Sequence, residues 1–549
     1  MSHYSARENR FTTPIIVLLS ILTLIFGLEM VRRYSAGKRQ LSVYDKPLIP
    51  APNTENPLAG IDEQFHVDEN FKTHLPLIII DTGGVEPEPG TVYDTEYFEK
   101  YGLDRRIRIA GMERYVSGTI RLINTGGMNG IYDEPEAESL IQIRRRGNSS
   151  IVYEKAQYLI RLVTESGERN KLDFLNMGAD WEWVLNGSMA DKSMFRNYLP
   201  YRIISSIMPF TPESVYCEVL FKEGDNYRYD GVHMLIESIR QGPHRVDIPR
   251  YVISDPYPSY IVRRDRERVG AITLDTYLTS TGASDRDENN MKFIALRYPG
   301  INSVTQKTVD YIKNDINRIE TVLYSDNPSV FKTYPRYIDV NSFVDYFIVN
   351  EFFGNYDAGQ HSTYMYKNSR GKFKMGPVWD FDDGLDNYKF QPMEVEHTAF
   401  QERPLFERLV LDMTFVKKLQ KRYNELRMGP LSNFNIRQMV DEINNHLGPA
   451  IDREWYRWAS IYLTYNARVS MIDYVDDDEL LLHRNLMEQR LESYRTTTYI
   501  LEHAAHLKER FLLFEWNTRF VSGVPGLMNI ILLLIFMLFF IPLGYISRR

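Results

Sequence analysis

The chain has 549 residues, with 65 Lys and Arg against 73 Asp and Glu, which gives a net charge of −8 at pH 7. A general nucleic-acid-binding protein is more often basic, so this balance argues against nucleic acid as a partner. The single cysteine, Cys217, excludes an intrachain disulfide and a cysteine metal cluster. It lies in a strand-like run, 214–221, and is therefore interpreted as a buried, inert thiol.

Both ends of the chain carry an apolar segment. After a polar tail over residues 1–11, the segment 12–31 is close to the minimum length for a bilayer span. A secretory signal peptide is the alternative, but no small-residue cleavage site follows. A second apolar run covers residues 524–546. We therefore predict a transmembrane helix at each end, and an integral protein of the cell membrane. The basic residues that flank the two spans disagree about the orientation.

Between the spans, the predicted elements change from strands to helices. Residues 32–74 are partly Pro-rich and are predicted to be a linker. An amphipathic helix is predicted over 305–323, and residues 401–520 are predicted to be a helical region. Before these helices come short strand patterns with Gly-rich turns, at 75–80, 106–109, 115–123, 140–146 and 158–162. This order of elements predicts an α+β fold with a β-rich N-terminal part.

The stretch 350–387 carries the clearest functional pattern. Within it, two strand-like runs and a turn predict a β-hairpin over 363–375. Asp357 precedes the hairpin, and a cluster of three carboxylates that includes Asp380 and Asp382 follows it. Clustered carboxylates repel one another, and a hard divalent cation offsets this repulsion. The layout is that of a phosphoryl-transfer site, in which Asp357 orients a hydroxyl while Asp380 and Asp382 hold Mg²⁺ or Mn²⁺ on the phosphates of ATP.

A small-residue loop, 147–150, follows Arg146 at the end of a predicted strand. Such a loop lets backbone N–H groups approach phosphates, with Arg146 as a cationic partner; an ordinary turn is the alternative. Lys155 is the candidate nucleotide-binding lysine, and Glu237 is the candidate carboxylate to pair with it, as kinases pair a lysine with a glutamate. A solvated surface lysine and a simple strand-end charge are the alternatives for these two residues.

The order and spacing of these stretches resemble the CotH kinase family, the spore-coat-protein-H-like atypical protein kinases. The stretches that carry the resemblance are RGNSS at 146–150, Lys155 with YLIRL at 158–162, GADW at 178–181, DKS at 191–193, RN at 196–197, LIE at 235–237, RVD at 245–247, and Asp357 with WDFD at 379–382. The resemblance implies an atypical two-lobed protein-kinase-like domain, predicted over 75–400, that uses ATP and a divalent metal.

The resemblance also bears on location and partners. Members of the family are often secreted or surface-associated, which favours an extracytoplasmic position for the domain. The phosphate acceptor stays open between hydroxyl groups of protein, glycan and lipid, and other membrane proteins are candidate partners.

One position departs from the pattern of the family. Kinase catalytic loops carry an Asn a few residues after the catalytic Asp, where it holds a second metal ion. At the place where the resemblance puts this Asn, the chain has His361 and Ser362. A serine hydroxyl is a weaker ligand, for which Asp382 or Asp383 would have to compensate. The alternative function is therefore a catalytically impaired member that acts as a membrane assembly or scaffold component of a cell-surface system.

Overall fold

The computed structural model of the protein describes residues 42–88, 114–147, 149–266, 271–281, 293–387, 393–469 and 489–522. The chain divides into two units, 1–47 and 48–549. Of the first unit, residues 42–47 are described, and Val43–Asp45 form a 3-10 helix. The strands, helices and site residues described below all belong to the second unit.

The strands of the second unit fall into two sheets. In the part of the chain that the structure describes, they are β1 (His66–Val67), β2 (Leu77–Asp81), β3 (Val116–Ile123), β4 (Ala137–Arg145), β5 (Tyr158–Val163), β6 (Glu182–Asn186), β7 (Ser214–Glu223), β8 (Asn226–Glu237), β9 (Tyr260–Asp265), β10 (Ile272–Leu274), β11 (Phe293–Tyr298), β12 (Thr363–Lys367) and β13 (Phe373–Met375).

The larger sheet closes on itself. Its order is β1-β8-β6-β5-β4-β3-β2-β7, and β7 also pairs with β8, so that β2 to β8 form a closed barrel with β1 attached to β8. Neighbouring strands are antiparallel apart from β2 and β7, which are parallel. Alternate residues of each strand face the interior. Ile143 of β4 and Ile160 of β5, for example, lie opposite one another and are fully buried.

The smaller sheet has the order β10-β11-β9-β12-β13 and is antiparallel. Its β12–β13 hairpin turns at residues 368–371, where the Gly371 N–H donates to the carbonyl of Asn368 at 2.9 Å. The hairpin predicted from the sequence is thus confirmed.

The helices lie mostly after the strands. Within the described ranges, the α-helices are α1 (Tyr198–Ile204), α2 (Tyr277–Thr281), α3 (Gln306–Leu323), α4 (Pro328–Phe331), α5 (Val340–Phe352), α6 (Phe406–Leu409), α7 (Met413–Arg427), α8 (Asn433–Leu447), α9 (Pro449–Val469) and α10 (Gln489–Ser522). Asp339 begins α5 by accepting the N–H groups of Asn341 and Ser342. Because Phe343, Phe347 and Phe352 are fully buried, α5 is held firmly where the chain enters the acidic stretch.

These elements confirm the predicted α+β fold class. All the predicted strands are found except the one at 106–109, which lies outside the described residues. The predicted helix over 305–323 is α3, and the described part of 401–520 is mainly helical. Cys217 on β7 is buried, and burial raises the pKa of its thiol, which confirms its interpretation as an inert group.

The segment 48–74 corrects the prediction of a linker. The Ala51 N–H donates to the carbonyl of Asn445 at 2.9 Å, and a ring nitrogen of His446 lies 2.7 Å from the carbonyl of Ile49. This stretch also contributes β1 to the barrel. It is therefore part of the fold, although its Pro-rich composition is typical of a tether.

The predicted membrane spans, 12–31 and 524–546, lie outside the described residues. Among the helices that the structure does describe, none combines the length and the apolar character needed to cross a bilayer.

Candidate active site

The two acidic loops that flank the hairpin meet, as predicted. The hydroxyl of Ser362, just before β12, donates to a carboxylate oxygen of Asp380, just after β13, at 3.0 Å. Both residues have left-handed backbone conformations, with φ of +48° for Ser362 and +66° for Asp380. Such conformations are sparsely populated by residues other than glycine, and they cluster at functional sites.

Asp357 lies in the turn that presents Ser362. Its carbonyl accepts the N–H groups of Gln360 at 3.1 Å and His361 at 2.7 Å. This turn joins the end of α5 to β12, so that Asp357 and Asp380 belong to loops in direct contact through Ser362.

Asp382 is held by two neutral side chains from the barrel side of the site. The amide of Asn197 donates to one of its carboxylate oxygens, and the amide of Gln157 donates to the other at 3.4 Å. Asn197 also accepts the N–H of Phe381 at 2.8 Å, which positions the loop between the two aspartates. Both amides therefore orient Asp382 without neutralising it.

The electrostatics at Asp382 favour a cation. Burial, together with the charges of Asp380, Asp191 and Asp383, raises the pKa of Asp382 well above its usual value, and the hydrogen bond from Asn197 acts against this shift. A bound divalent cation would relieve the repulsion.

The atoms of this loop that could bind a metal are the carboxylate oxygens of Asp380 and Asp382, and Mg²⁺ prefers oxygen ligands. Within the described ranges, no group of three or more His, Cys, Asp or Glu side chains is arranged to hold a metal ion. Mg²⁺ commonly takes only one or two carboxylates and completes its shell with water and phosphate oxygens. Asp380 and Asp382 fit that requirement.

Arg146 lies beside the same loop. Its guanidinium donates to the side-chain oxygen of Gln157 at 3.0 Å and stands 5.3 Å from the centre of the Trp379 ring. Burial lowers the pKa of Arg146, and the charge of Asp380 opposes that shift. The structure therefore brings together three of the predicted site residues, Arg146, Asp380 and Asp382, and places Asp357 in the adjoining turn.

The predicted pair of Lys155 with Glu237 is wrong. The ammonium of Lys155 contacts the carboxylate of Glu454 on α9 at 2.6 Å and donates to the carbonyl of Val232 at 2.6 Å. Glu237 instead pairs with Arg245, and burial raises the pKa of Glu237 to about 8. The sequence prediction chose Glu237 by analogy with the lysine–glutamate pair of kinases. It failed because the fold supplies the carboxylate from a helix much later in the chain.

Helix α10 holds the loop after β13, which carries Asp380, Asp382 and Asp386 and is called the acidic loop below. Arg495 pairs with Asp386, and Glu492 pairs with Arg196 at 2.6 Å. Arg196 is fully buried and donates to the carbonyls of Gly384 and Leu385, both at 3.2 Å. The geometry of the loop therefore depends on a helix that lies about a hundred residues further along the chain.

Sequence reasoning did not identify three residues of this arrangement, which are Gln157, Asn197 and Glu454. Asn197 lies in one of the stretches that carry the family resemblance, so a signal was present for it. Gln157 is two residues after Lys155, and nothing in its local pattern marks it. Glu454 lies 299 residues from Lys155, and no local pattern links the two.

Comparisons with known proteins bear on this arrangement. A search of curated proteins finds no match. The sequence model of one family, described as CotH kinase protein, matches residues 143–491, which is more than half of the chain. The matched region contains Arg146, the acidic loop and the part of α9 that carries Glu454, and it ends within the first turn of α10. The chain therefore belongs to the CotH kinase family.

Proposed function

We propose that the chain is a membrane-anchored kinase that transfers the γ-phosphate of ATP to a hydroxyl group of a protein or glycan acceptor. Membership of the CotH kinase family supports a kinase-like activity. The observation that carries the proposal is the convergence of Asp380, Asp382 and Arg146 on one loop. Two carboxylates suited to a hard cation lie there beside a guanidinium suited to phosphate.

Asp380 and Asp382 would hold Mg²⁺ or Mn²⁺, which, when bound, neutralises charge on the phosphates of ATP. Ser362, Asn197 and Gln157 fix the directions of these two carboxylates by hydrogen bonding. Arg146 would contact the phosphates, because its guanidinium lies over the Trp379 ring beside the two carboxylates.

Asp357 would orient the acceptor hydroxyl and accept its proton as the new P–O bond forms, while the bond between the γ-phosphorus and the β–γ bridging oxygen breaks and ADP leaves. Its position in the turn before Ser362 supports this role, since that turn abuts the loop of Asp380. The acceptor oxygen would thus approach from the α5 side, and the nucleotide from the side of Arg146.

Lys155 and Glu237 are left out of the proposed ligand contacts. Lys155 is 1 % exposed and is bonded to Glu454 and to a backbone carbonyl. Glu237 is paired with Arg245 and accepts the N–H of Glu213 at 2.9 Å. We propose that the pair of Lys155 and Glu454 supports the site by fastening α9 to the barrel.

We further propose that segments 12–31 and 524–546 anchor the protein in the cell membrane, with the kinase-like domain on the extracytoplasmic side. The apolar character of both segments supports anchoring, and the sequence resemblance to often-exported proteins supports the orientation. Other membrane proteins are the candidate partners. Protease added to intact cells should digest the domain, and complete protection until lysis would overturn the proposed orientation.

Transfer of label from γ-labelled ATP tests the proposed activity. Membranes that contain the wild-type chain should label an acceptor only when a divalent cation is present, and Asp357→Asn and Asp380→Asn should each abolish labelling. Asp452→Asn, on the exposed side of α9, is the matched control and should label normally. A folded wild-type chain that labels nothing and still retains partner proteins would instead favour a scaffold role.

A further inference from the structure

Strand β11 contains a β-bulge at Arg297, in the same sheet as the β12–β13 hairpin. Leu296 pairs with Val262 of β9 and Tyr298 pairs with Ile261, so that Arg297 is the extra residue between them. β-Bulges are frequent beside active sites, where they redirect a side chain. The fold therefore sets the direction of the Arg297 side chain by a local irregularity of the sheet.

Arg263 connects Arg297 to the acidic loop. Arg263 of β9 is opposite Tyr364 of β12, and its guanidinium stands 5.8 Å from the centre of the Tyr364 ring. The charge of Asp380 acts on Arg263, and Arg263 and Tyr364 in turn act on Arg297. Arg146 is close enough to Asp380 and Tyr364 to interact with both from the barrel side. The acidic loop thus has arginines on the barrel and on the smaller sheet.

Arg297 lies in a recess between the barrel and the smaller sheet. Burial lowers the pKa of its guanidinium, although the side chain is exposed to solvent. Both hold for a side chain that has protein on several sides and one side open. The carboxylates that act on Arg297 come from both walls of the recess, Glu182 from β6 of the barrel and Asp265 from β9 of the smaller sheet.

Both of these carboxylates are already paired with other arginines. Glu182 pairs with Arg161 at 3.0 Å, and Asp265 pairs with Arg263 at 3.2 Å. In the part of the chain that the structure describes, no carboxylate forms an ion pair with Arg297. Removing a charged group from water costs free energy that a counter-charge offsets. Arg297 is therefore a partly desolvated cation that has N–H groups available for an anionic ligand.

The charges of the site favour nucleotide phosphates as that ligand. Kinases hold the α- and β-phosphates with a lysine, but Lys155 is bonded to Glu454 and to a backbone carbonyl. With Asp380 and Asp382 ionised, one Mg²⁺ and Arg146 leave the phosphates of ATP incompletely neutralised. An acidic acceptor would add negative charge to this site. The nucleotide therefore has the greater need for another cation.

We propose that Arg297, supported by Arg263, binds the α- and β-phosphates of the nucleotide from the side of the smaller sheet, while Arg146 binds from the barrel. This inference rests on the proposed kinase function. Because Asp380 acts on Arg263 and Arg263 acts on Arg297, Arg297 lies one step beyond the metal-binding carboxylates. The γ-phosphate has to reach Asp357, so the phosphates left for Arg297 are those that remain on ADP. A guanidinium can donate two parallel N–H groups to one phosphate.

Binding of ADP with Mg²⁺ to the full-length protein in detergent tests the proposal without catalysis, by titration calorimetry. Arg297→Gln should weaken the binding of ADP about tenfold. Arg297→Lys should weaken it about threefold, because lysine keeps the charge and loses the planar fork. Arg437→Gln, at an exposed position of α8, is the control and should bind ADP normally. Inorganic tripolyphosphate, which has no base or ribose, should show the same dependence on Arg297.

Two further readouts separate a phosphate contact from a structural role. Without ligand, Arg297→Gln should melt at the same temperature as wild type or higher, because it removes a partly desolvated charge. In phosphorylation assays, Arg297→Gln should raise KM for ATP and leave kcat nearly unchanged, since phosphates that stay on ADP are held alike before and during transfer.

Three results would overturn the proposal. They are equal affinity of wild type and Arg297→Gln for ADP, binding of tripolyphosphate that does not depend on Arg297, and a wild-type protein that binds no ADP. Phosphate transfer combined with ADP binding that is independent of Arg297 would refute this inference alone. Arg297-dependent binding of ADP without any phosphate transfer would keep the phosphate contact and would refute the proposed kinase function instead.

Discussion

Lys155 and Glu454 form a buried ion pair, 2.6 Å between charged atoms, across 299 residues of sequence. Their side chains are 1 % and 0 % exposed. Glu454 also accepts the N–H of Val232 at 2.7 Å, so this one carboxylate connects α9 both to Lys155 and to the backbone of β8. The pair couples the helical region to the barrel.

Truncating Glu454 should therefore destabilise the protein strongly. Glu454→Ala leaves a buried ammonium without a counter-charge, a change that costs about 3–5 kcal/mol in other proteins. Lys155→Met should cost a similar amount, and the double variant should cost clearly less than the sum of the two. Chemical denaturation measures these free energies of unfolding. Purely additive losses would show that the two charges do not depend on each other.

Ser362 supplies the second test, because it stands where the family resemblance leads us to expect an asparagine. Ser362→Ala removes the hydrogen bond to Asp380 and should lower the rate of phosphate transfer about tenfold. Ser362→Asn should keep or raise the rate, since asparagine tolerates a positive φ and its amide oxygen is a metal ligand. Ser329→Ala, at an exposed position, is the control. An unchanged rate of phosphate transfer in Ser362→Ala would show that Ser362 does not contribute to the active site.

Arg495 should matter to ligand binding as well as to stability. Arg495→Met removes the ion pair with Asp386 and the contact with Glu492, and should lower the free energy of unfolding by about 1–3 kcal/mol. It should also weaken the binding of ATP with Mg²⁺, because the acidic loop loses its support from α10. Arg490→Met, exposed on the same helix, is the control. Destabilisation with unchanged nucleotide affinity would contradict this role.

The pH dependence of stability should carry a contribution from Glu320 on α3. Burial raises the pKa of Glu320 from 4.5 to about 7. The folded protein therefore holds this proton more tightly than the unfolded chain does. The stabilisation is complete below about pH 4.5 and is lost as the pH rises through about 7.

Glu320→Gln should remove this contribution and keep both contacts, because the amide can accept the N–H of Leu278 and donate to the hydroxyl of Thr276. Between pH 5 and pH 8, its stability relative to wild type should rise by on the order of 1–3 kcal/mol. Asp310→Asn, exposed on α3, serves as the control. A constant difference between Glu320→Gln and wild type would refute the assignment.

The sequence predicted the parts of the fold that depend on local patterns. The β12–β13 hairpin follows from its turn residues and from strand patterns on both sides, and the contact of Ser362 with Asp380 follows from the hairpin. The apolar periodicity of α3 likewise marks its buried face, where Ile312, Ile316 and Ile319 lie. Each of these signals lies within a few residues of the feature it predicts.

The features that the sequence did not predict depend on contacts between distant segments. Segment 48–74 looks like a tether, but the end of α8 and strand β8 supply hydrogen bonds that hold it. The partner of Lys155 comes from α9, and the support of the acidic loop comes from α10.

The central claim is that Asp380 and Asp382 form a site for a divalent cation with ATP, and thermal denaturation tests it most directly. A ligand present at a hundredfold excess over its Kd stabilises the folded state by about 2.7 kcal/mol. Mg²⁺ together with ATP should therefore raise the melting temperature of the wild-type protein more than either does alone. Asp380→Asn should lose most of that rise.

In the absence of metal, Asp380→Asn should be at least as stable as wild type, because it relieves like-charge repulsion and asparagine tolerates the positive φ at this position. We therefore predict two results for Asp380→Asn. Its melting temperature without metal is unchanged or higher, and its response to Mg²⁺ with ATP is lost. An Asp380→Asn protein that unfolds without metal, or that still responds fully to Mg²⁺ with ATP, would contradict the account.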